Sequence, residues 1–113
     1  MKEIKAYIKT HKLPTVAQAL HKINGLSGMS VTRVYGFGRS RAKGNREKVV
    51  IDTVEYNPHL KIEIVCAEEL VKPVIQAILT NAHTGTRGDG KIYVAPVDQA
   101  IRISTGERGE SAV

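Results

Sequence analysis

At 113 residues the chain makes a single domain, with enough length for a real core but in the size range where assembly adds much of the stability. It is 42% hydrophobic and 25% charged, no apolar run approaches the roughly 20 residues of a membrane helix, and one cysteine, Cys66, excludes an intrachain disulfide and fits a reducing cytosol. A net charge of +6 and a pI near 9.6 favour an anionic partner, whether nucleotide, nucleic acid or membrane surface, and composition does not choose among them.

The opening stretch, MKEIKAYIK, carries no signal-peptide h-region, which predicts a cytoplasmic protein. Ile4, Ala6 and Ile8 alternate with Lys5 and Tyr7 in the period of a half-buried strand. His11 to Pro14 breaks it, and Val16, Leu20 and Ile23 then recur at helical spacing, with Gly25 as the stop. Ser30 to Phe37 is β-branched and aromatic, a second strand. Residues 38–58 hold no consistent period and carry Arg39, Arg41, Lys43, Arg46 and Lys48. A loop of about twenty residues in a compact domain is functional or disordered.

Leu60 to Val65 alternates cleanly and predicts a third strand. Glu68 and Glu69 suit a helix start, Leu70, Val74 and Ile78 continue at four-residue spacing, and Pro73 is read into the opening turn. A fourth strand, Lys91 to Ala95, is stopped by Pro96, and a short strand, Ile101 to Ile103, precedes a polar tail that is expected to be mobile from about residue 106 to 113. The second half thus repeats the strand–helix–strand order of the first. Two such units predict an α+β, ferredoxin-like fold, a four-stranded antiparallel sheet with both helices on one face. Tyr7, Tyr35 and Val65 are expected on the other face, which would be better covered in an oligomer.

Between the second helix and the fourth strand lies TGTRGDGKIYV, Thr84 to Val94, with Gly85, Gly88 and Gly90 in one loop. Glycines at this density bring backbone N–H groups close to an anion, with Lys91 as a point charge and Arg87 as a fork donor. The plainer alternative is a hairpin turn on Asp89-Gly90.

The order T-x-x-x-G-D-G-K-I-aromatic-V from Thr84 to Val94 closely resembles the C-terminal signature of the PII nitrogen-regulatory signal proteins. The likeness extends from Met1 to about Gly106, most specifically at Gly28 to Thr32 followed by Gly36 to Arg39, at Lys61 to Val65, and at Ala100 to Ile103 with Thr105 to Glu107. The resemblance implies a homotrimer that binds an adenine nucleotide (ADP, AMP or ATP) in each cleft between subunits. It further implies a regulatory protein, not an enzyme, acting on a partner through the long loop, with a membrane transporter as that partner and the inner face of the membrane as the place. By the same resemblance Ser30, Glu63 and Val65 line the adenine pocket, Gly36, Gly38 and Arg39 stand at the loop base, and Gly88, Asp89, Gly90 and Lys91 hold the phosphates and ribose, with Arg102 reaching across. Apart from the resemblance, Glu63 also reads as a surface strand partner for Lys61, and Ser30 as simple strand polarity. In the loop, Arg41, Lys43, Arg46 and Lys48 with the apolar triplet Val49, Val50 and Ile51 form the partner-binding element.

The chain also departs from the family pattern. Ser104 replaces a second phosphate arginine, which weakens the grip on a terminal phosphate and favours ADP or AMP at least as much as ATP unless Arg87 or Arg41 compensates. Ser40 and His59 replace a glutamine and a lysine of the 2-oxoglutarate site, so 2-oxoglutarate is not expected as an effector, and Asp52 stands at the tyrosine that some members have modified. The four histidines show no metal-ligand spacing, and Cys66 is read as a small buried hydrophobe. The rival class is a basic ferredoxin-like nucleic-acid-binding module. Tyr35-Gly36-Phe37-Gly38 faintly resembles the aromatic strand motif of RNA-recognition domains, but the full motif is absent and aromatics make only 4%.

Overall fold

The computed structural model of the chain describes residues 1–38, 49–51 and 54–113. Strand β1 (Lys2–Ile8) buries Ile4, Ala6 and Ile8, following the alternation in the sequence. A 3-10 turn at Thr10–Lys12 leads into helix α1 (Leu13–His21), where Pro14 occupies the first turn and its missing N–H costs no bond. The amides of Lys22 and Ile23 close α1 onto the Ala19 and Leu20 carbonyls, so the helix ends before Gly25 is reached. Strands β2 (Ser30–Gly36), β3 (Val49–Ile51) and β4 (Val54–Cys66), helix α2 (Glu68–Ala82) and strand β5 (Lys91–Pro96) follow.

The main sheet has the order β2-β4-β1-β5, antiparallel throughout, and the chain has the ferredoxin-like fold. Val16 and Leu20 of α1 and Val74, Ile78 and Ala82 of α2 pack on the face formed by Ile4, Ala6, Ile8, Ile62, Ile64 and Cys66. Each fully buried isoleucine there contributes about 1.5–3 kcal/mol of transfer free energy. Cys66 belongs to this core, where burial pushes its thiol up, away from the reactive thiolate.

Register assigns the opposite face. Glu3, Lys5 and Tyr7 of β1 stand beside Val65, Glu63 and Lys61 of β4 and beside Ala95, Tyr93 and Lys91 of β5, while Ser30 pairs with Glu63 and Val34 with His59. Tyr7 and Tyr93 meet edge-to-face at 6.2 Å. Tyr35 pairs with Pro58 and has the parity of Ile62, because side chains alternate along the ladder.

The structure differs from the sequence reading in four further places. β4 begins at Val54 rather than near Leu60, and Val49, Val50 and Ile51 pair with Tyr56, Glu55 and Val54, so part of the expected loop is paired strand. Pro58 is tolerated within β4 because pairing with β1 starts only at Leu60, which leaves one side of the strand without a ladder. Pro73 lies in the second turn of α2, not the first, and forfeits a helical bond to Glu69. Ile101 to Ile103 is a single bridge, Ile101 to Arg108, rather than a strand: a turn over 103–105 sends the chain back, with the Arg102 amide donating to Glu107 O at 2.9 Å and the Gly109 amide to Ala100 O at 3.0 Å. The tail expected to be mobile is therefore folded along 100–102 and ends in a 3-10 turn, Glu110–Ala112.

Candidate functional site

The loop joining α2 to β5 is built on backbone conformations that side chains rarely adopt. Gly85, Gly88 and Gly90 have φ of 84°, 84° and 101°. Gly90 also lies against β1: a Cβ there would stand 1.6 Å from the Tyr7 carbonyl oxygen. The loop connects a helix to a strand, so Asp89-Gly90 is not a hairpin turn.

Asp89 organises this loop from inside. Its Oδ2 accepts the amides of Thr84 (2.9 Å) and Gly85 (3.2 Å), and its Oδ1 accepts the Thr84 hydroxyl and lies 3.3 Å from Lys9 Nζ. Lys9 Nζ, just past the end of β1, also donates to Thr84 Oγ1 at 3.0 Å and to the Thr86 hydroxyl. Burial opposes the charge on Asp89, but the Thr84 hydroxyl and amide, the Gly85 amide and Lys9 outweigh it and hold the carboxyl well below the usual carboxylate range. A second tie comes from β4. His59 Nε2 is 3.0 Å from the Gly88 carbonyl and Nδ1 is 3.5 Å from that of Asn57, so the tautomer with the proton on Nε2 donates to the shorter contact.

Between this loop and the end of β2 at Gly36, with Phe37 and Gly38 just beyond it, opens a pocket of about 1280 Å³. Tyr7, Tyr35, Phe37 and Tyr93 line it, four of the five aromatic residues of the chain, together with His59, Arg87 and Lys91. Aromatic walls suit a flat ring. The side chains of Arg87 and Lys91 make no hydrogen bond or ion pair with any described residue, whereas Asp89, the acid of the lining, is fully engaged by the loop. The surface therefore presents cations to a planar, anionic ligand.

Of the residues singled out from sequence, Gly36, Gly38, Arg87, Gly88, Asp89, Gly90 and Lys91 come together at this pocket. Ser30, Glu63 and Val65 do not. Glu63 and Val65 lie four and six residues along β4 from His59, about 13 and 20 Å at the rise of a strand. Glu63 there pairs with Lys61 Nζ at 3.0 Å, and that hydrogen bond pushes the Lys61 ammonium up. Arg102 lies past the far end of β5, where its guanidinium donates to Ser111 O at 3.1 Å and faces Glu107 at 3.4 Å. Arg39, Ser40, Arg41, Lys43, Arg46, Lys48 and Asp52 lie outside the described residues. Sequence reasoning missed Lys9, Thr84 and His59 as builders of the loop. Lys9 and Thr84 are 75 positions apart, and nothing local marks them as partners.

The family model for nitrogen regulatory protein P-II matches residues 1–107. This chain belongs to the P-II family. It is 44% identical to the nitrogen regulatory protein P-II of Azospirillum brasilense, 45% to that of Cereibacter sphaeroides and 46% to that of Rhodospirillum rubrum, in each case over 113 residues and all of both chains. Its role is accordingly regulatory, in signal transduction. Among the described residues of this P-II chain, no helix is long and apolar enough to cross a membrane.

Proposed function

We propose that this P-II chain binds adenine nucleotides in clefts between the subunits of a homotrimer and regulates a membrane transporter, from the cytoplasmic side, through residues 38–58. The observation that carries the reading is the division of the site residues into two groups. The glycine loop, with Gly36 and Gly38, stands at one end of the sheet, while Val65 and Arg102 stand toward the other and Ser30 and Glu63 between them. A nucleotide cannot bridge both groups on one chain. A head-to-tail contact, in which the second group of one subunit meets the first group of the next, joins them and closes into a ring. The open sheet face, where Tyr93 is 54% exposed, supports such an assembly.

Calorimetry with AMP, ADP and ATP tests the ligand. All three are expected to bind, and 2-oxoglutarate with Mg·ATP is expected to leave the affinity unchanged, since the His59 ring is turned onto Gly88. Absence of binding by any of the three defeats the nucleotide reading. A steep salt-dependent affinity for RNA in its place would point to a nucleic-acid module.

Deleting Arg41 to Ile51 tests the output element. Because β3 pairs only with the Val54–Tyr56 end of β4, the sheet that carries the pocket is expected to survive. Light scattering should still report a trimer and calorimetry an unchanged nucleotide affinity, while capture of the transporter from detergent-solubilised membranes is lost. A deletion variant that captures the same proteins as the wild type removes the loop as the output element.

A further inference from the structure

We infer that Arg87 is a phosphate-binding residue of this chain and sets how its affinity rises with the number of phosphates, an inference that rests on the nucleotide reading above. Arg87 sits between Gly85 and Gly88, both with positive φ, in the part of the loop whose backbone approaches the pocket. The other side chains around the loop are engaged in its own architecture: Lys9 with Asp89 and Thr84, and the His83 ring with Asp89 at 3.4 Å. The Arg87 side chain has no partner among the described residues, and Lys91, whose side chain is also unpartnered among them, lines the same pocket.

Arg102 cannot supply this role within the chain, because Ser111 and Glu107 hold it beyond β5. A guanidinium fork and an ammonium at one pocket gain most from a ligand with many charged oxygens. Each phosphate beyond the first adds acceptors for Arg87 and charge for Lys91. The ranking expected from Ser104 alone is thereby reversed, to ATP and ADP over AMP.

The test is calorimetry of wild type, Arg87→Gln and Arg87→Lys with AMP, ADP and ATP, each variant first matched to wild type by circular dichroism and light scattering. Arg87→Gln is expected to weaken ATP about tenfold or more, the worth of a charge-assisted pair, and AMP by less than about twofold. Arg87→Lys, which keeps the charge without the fork, is expected to fall between. An unchanged ATP-to-AMP ratio in Arg87→Gln, or an equal loss for all three nucleotides, overturns the inference while leaving the nucleotide reading intact. Should wild type bind none of the three, that reading fails by itself, and inorganic tripolyphosphate then tests Arg87 alone. Binding by wild type that is weakened tenfold in Arg87→Gln supports the role, and equal or absent binding overturns it.

Discussion

Gly90→Ala is expected to destabilise the protein by about 4 kcal/mol and to abolish nucleotide binding. Two costs add. A left-handed backbone at an alanine costs roughly 1–3 kcal/mol, and here φ is 101°. The new Cβ would also stand 1.6 Å from Tyr7 O and 2.7 Å from Tyr7 C, both backbone atoms of β1, where no side chain can rotate away. The loop must move off the sheet, and it carries the Asp89 cluster and the Gly88 carbonyl held by His59 with it. At fixed protein concentration the melting temperature should fall by about 10 °C or more. Gly28→Ala is the control, since nothing lies within 4 Å of its Cβ position. A Gly90→Ala protein melting within about 2 °C of wild type would show that the close approach to β1 does not hold the loop.

Much of the fold was legible because its signals are local. Ile4, Ala6 and Ile8 on β1, and Ile62 and Ile64 on β4, keep a strict period of two, and Val74 and Ile78 on α2 keep helical spacing, so each segment announces its own buried face. The first part of β4 announces nothing. Pro58 breaks the pattern there, and only pairing with β2 and β3 decides that Val54 to Leu60 is extended. Tyr35 was misplaced for a related reason: which face a strand residue takes depends on register with a distant strand, and Pro58 fixes it. Within the site, the glycines and Lys91 were visible as a motif. The separation of Ser30, Glu63, Val65 and Arg102 from the pocket was not, because it is set by strand pairing and by the fold-back of residues 105–113 onto 100–102.

Asp89→Asn is the second large effect, and pH gives it a signature. The carboxylate accepts two backbone amides and one hydroxyl and pairs with Lys9, whose side chain is only 17% exposed. Asparagine keeps one acceptor oxygen and turns an NH₂ toward donors, leaving amides and an ammonium partly unsatisfied. Hydrogen bonds to charged groups are worth about 1.5–3 kcal/mol each, with partial compensation by water, so a loss of about 3 kcal/mol near pH 7 is expected. The depressed Asp89 value fixes the sign of the pH dependence. A carboxyl whose value is lower folded than unfolded stabilises the fold at pH above its unfolded value of about 3.9, and that contribution is lost as pH falls toward the folded value. Urea unfolding of both proteins from pH 7 to pH 3 should therefore show a gap that is constant down to about pH 5 and then narrows, because wild type loses what the variant never had. Nucleotide affinity should fall along with stability at pH 7, since the amides that Asp89 orders belong to the loop that lines the pocket. A gap that stays constant to pH 3, or widens, would mean that the Asp89 charge does not hold the loop together.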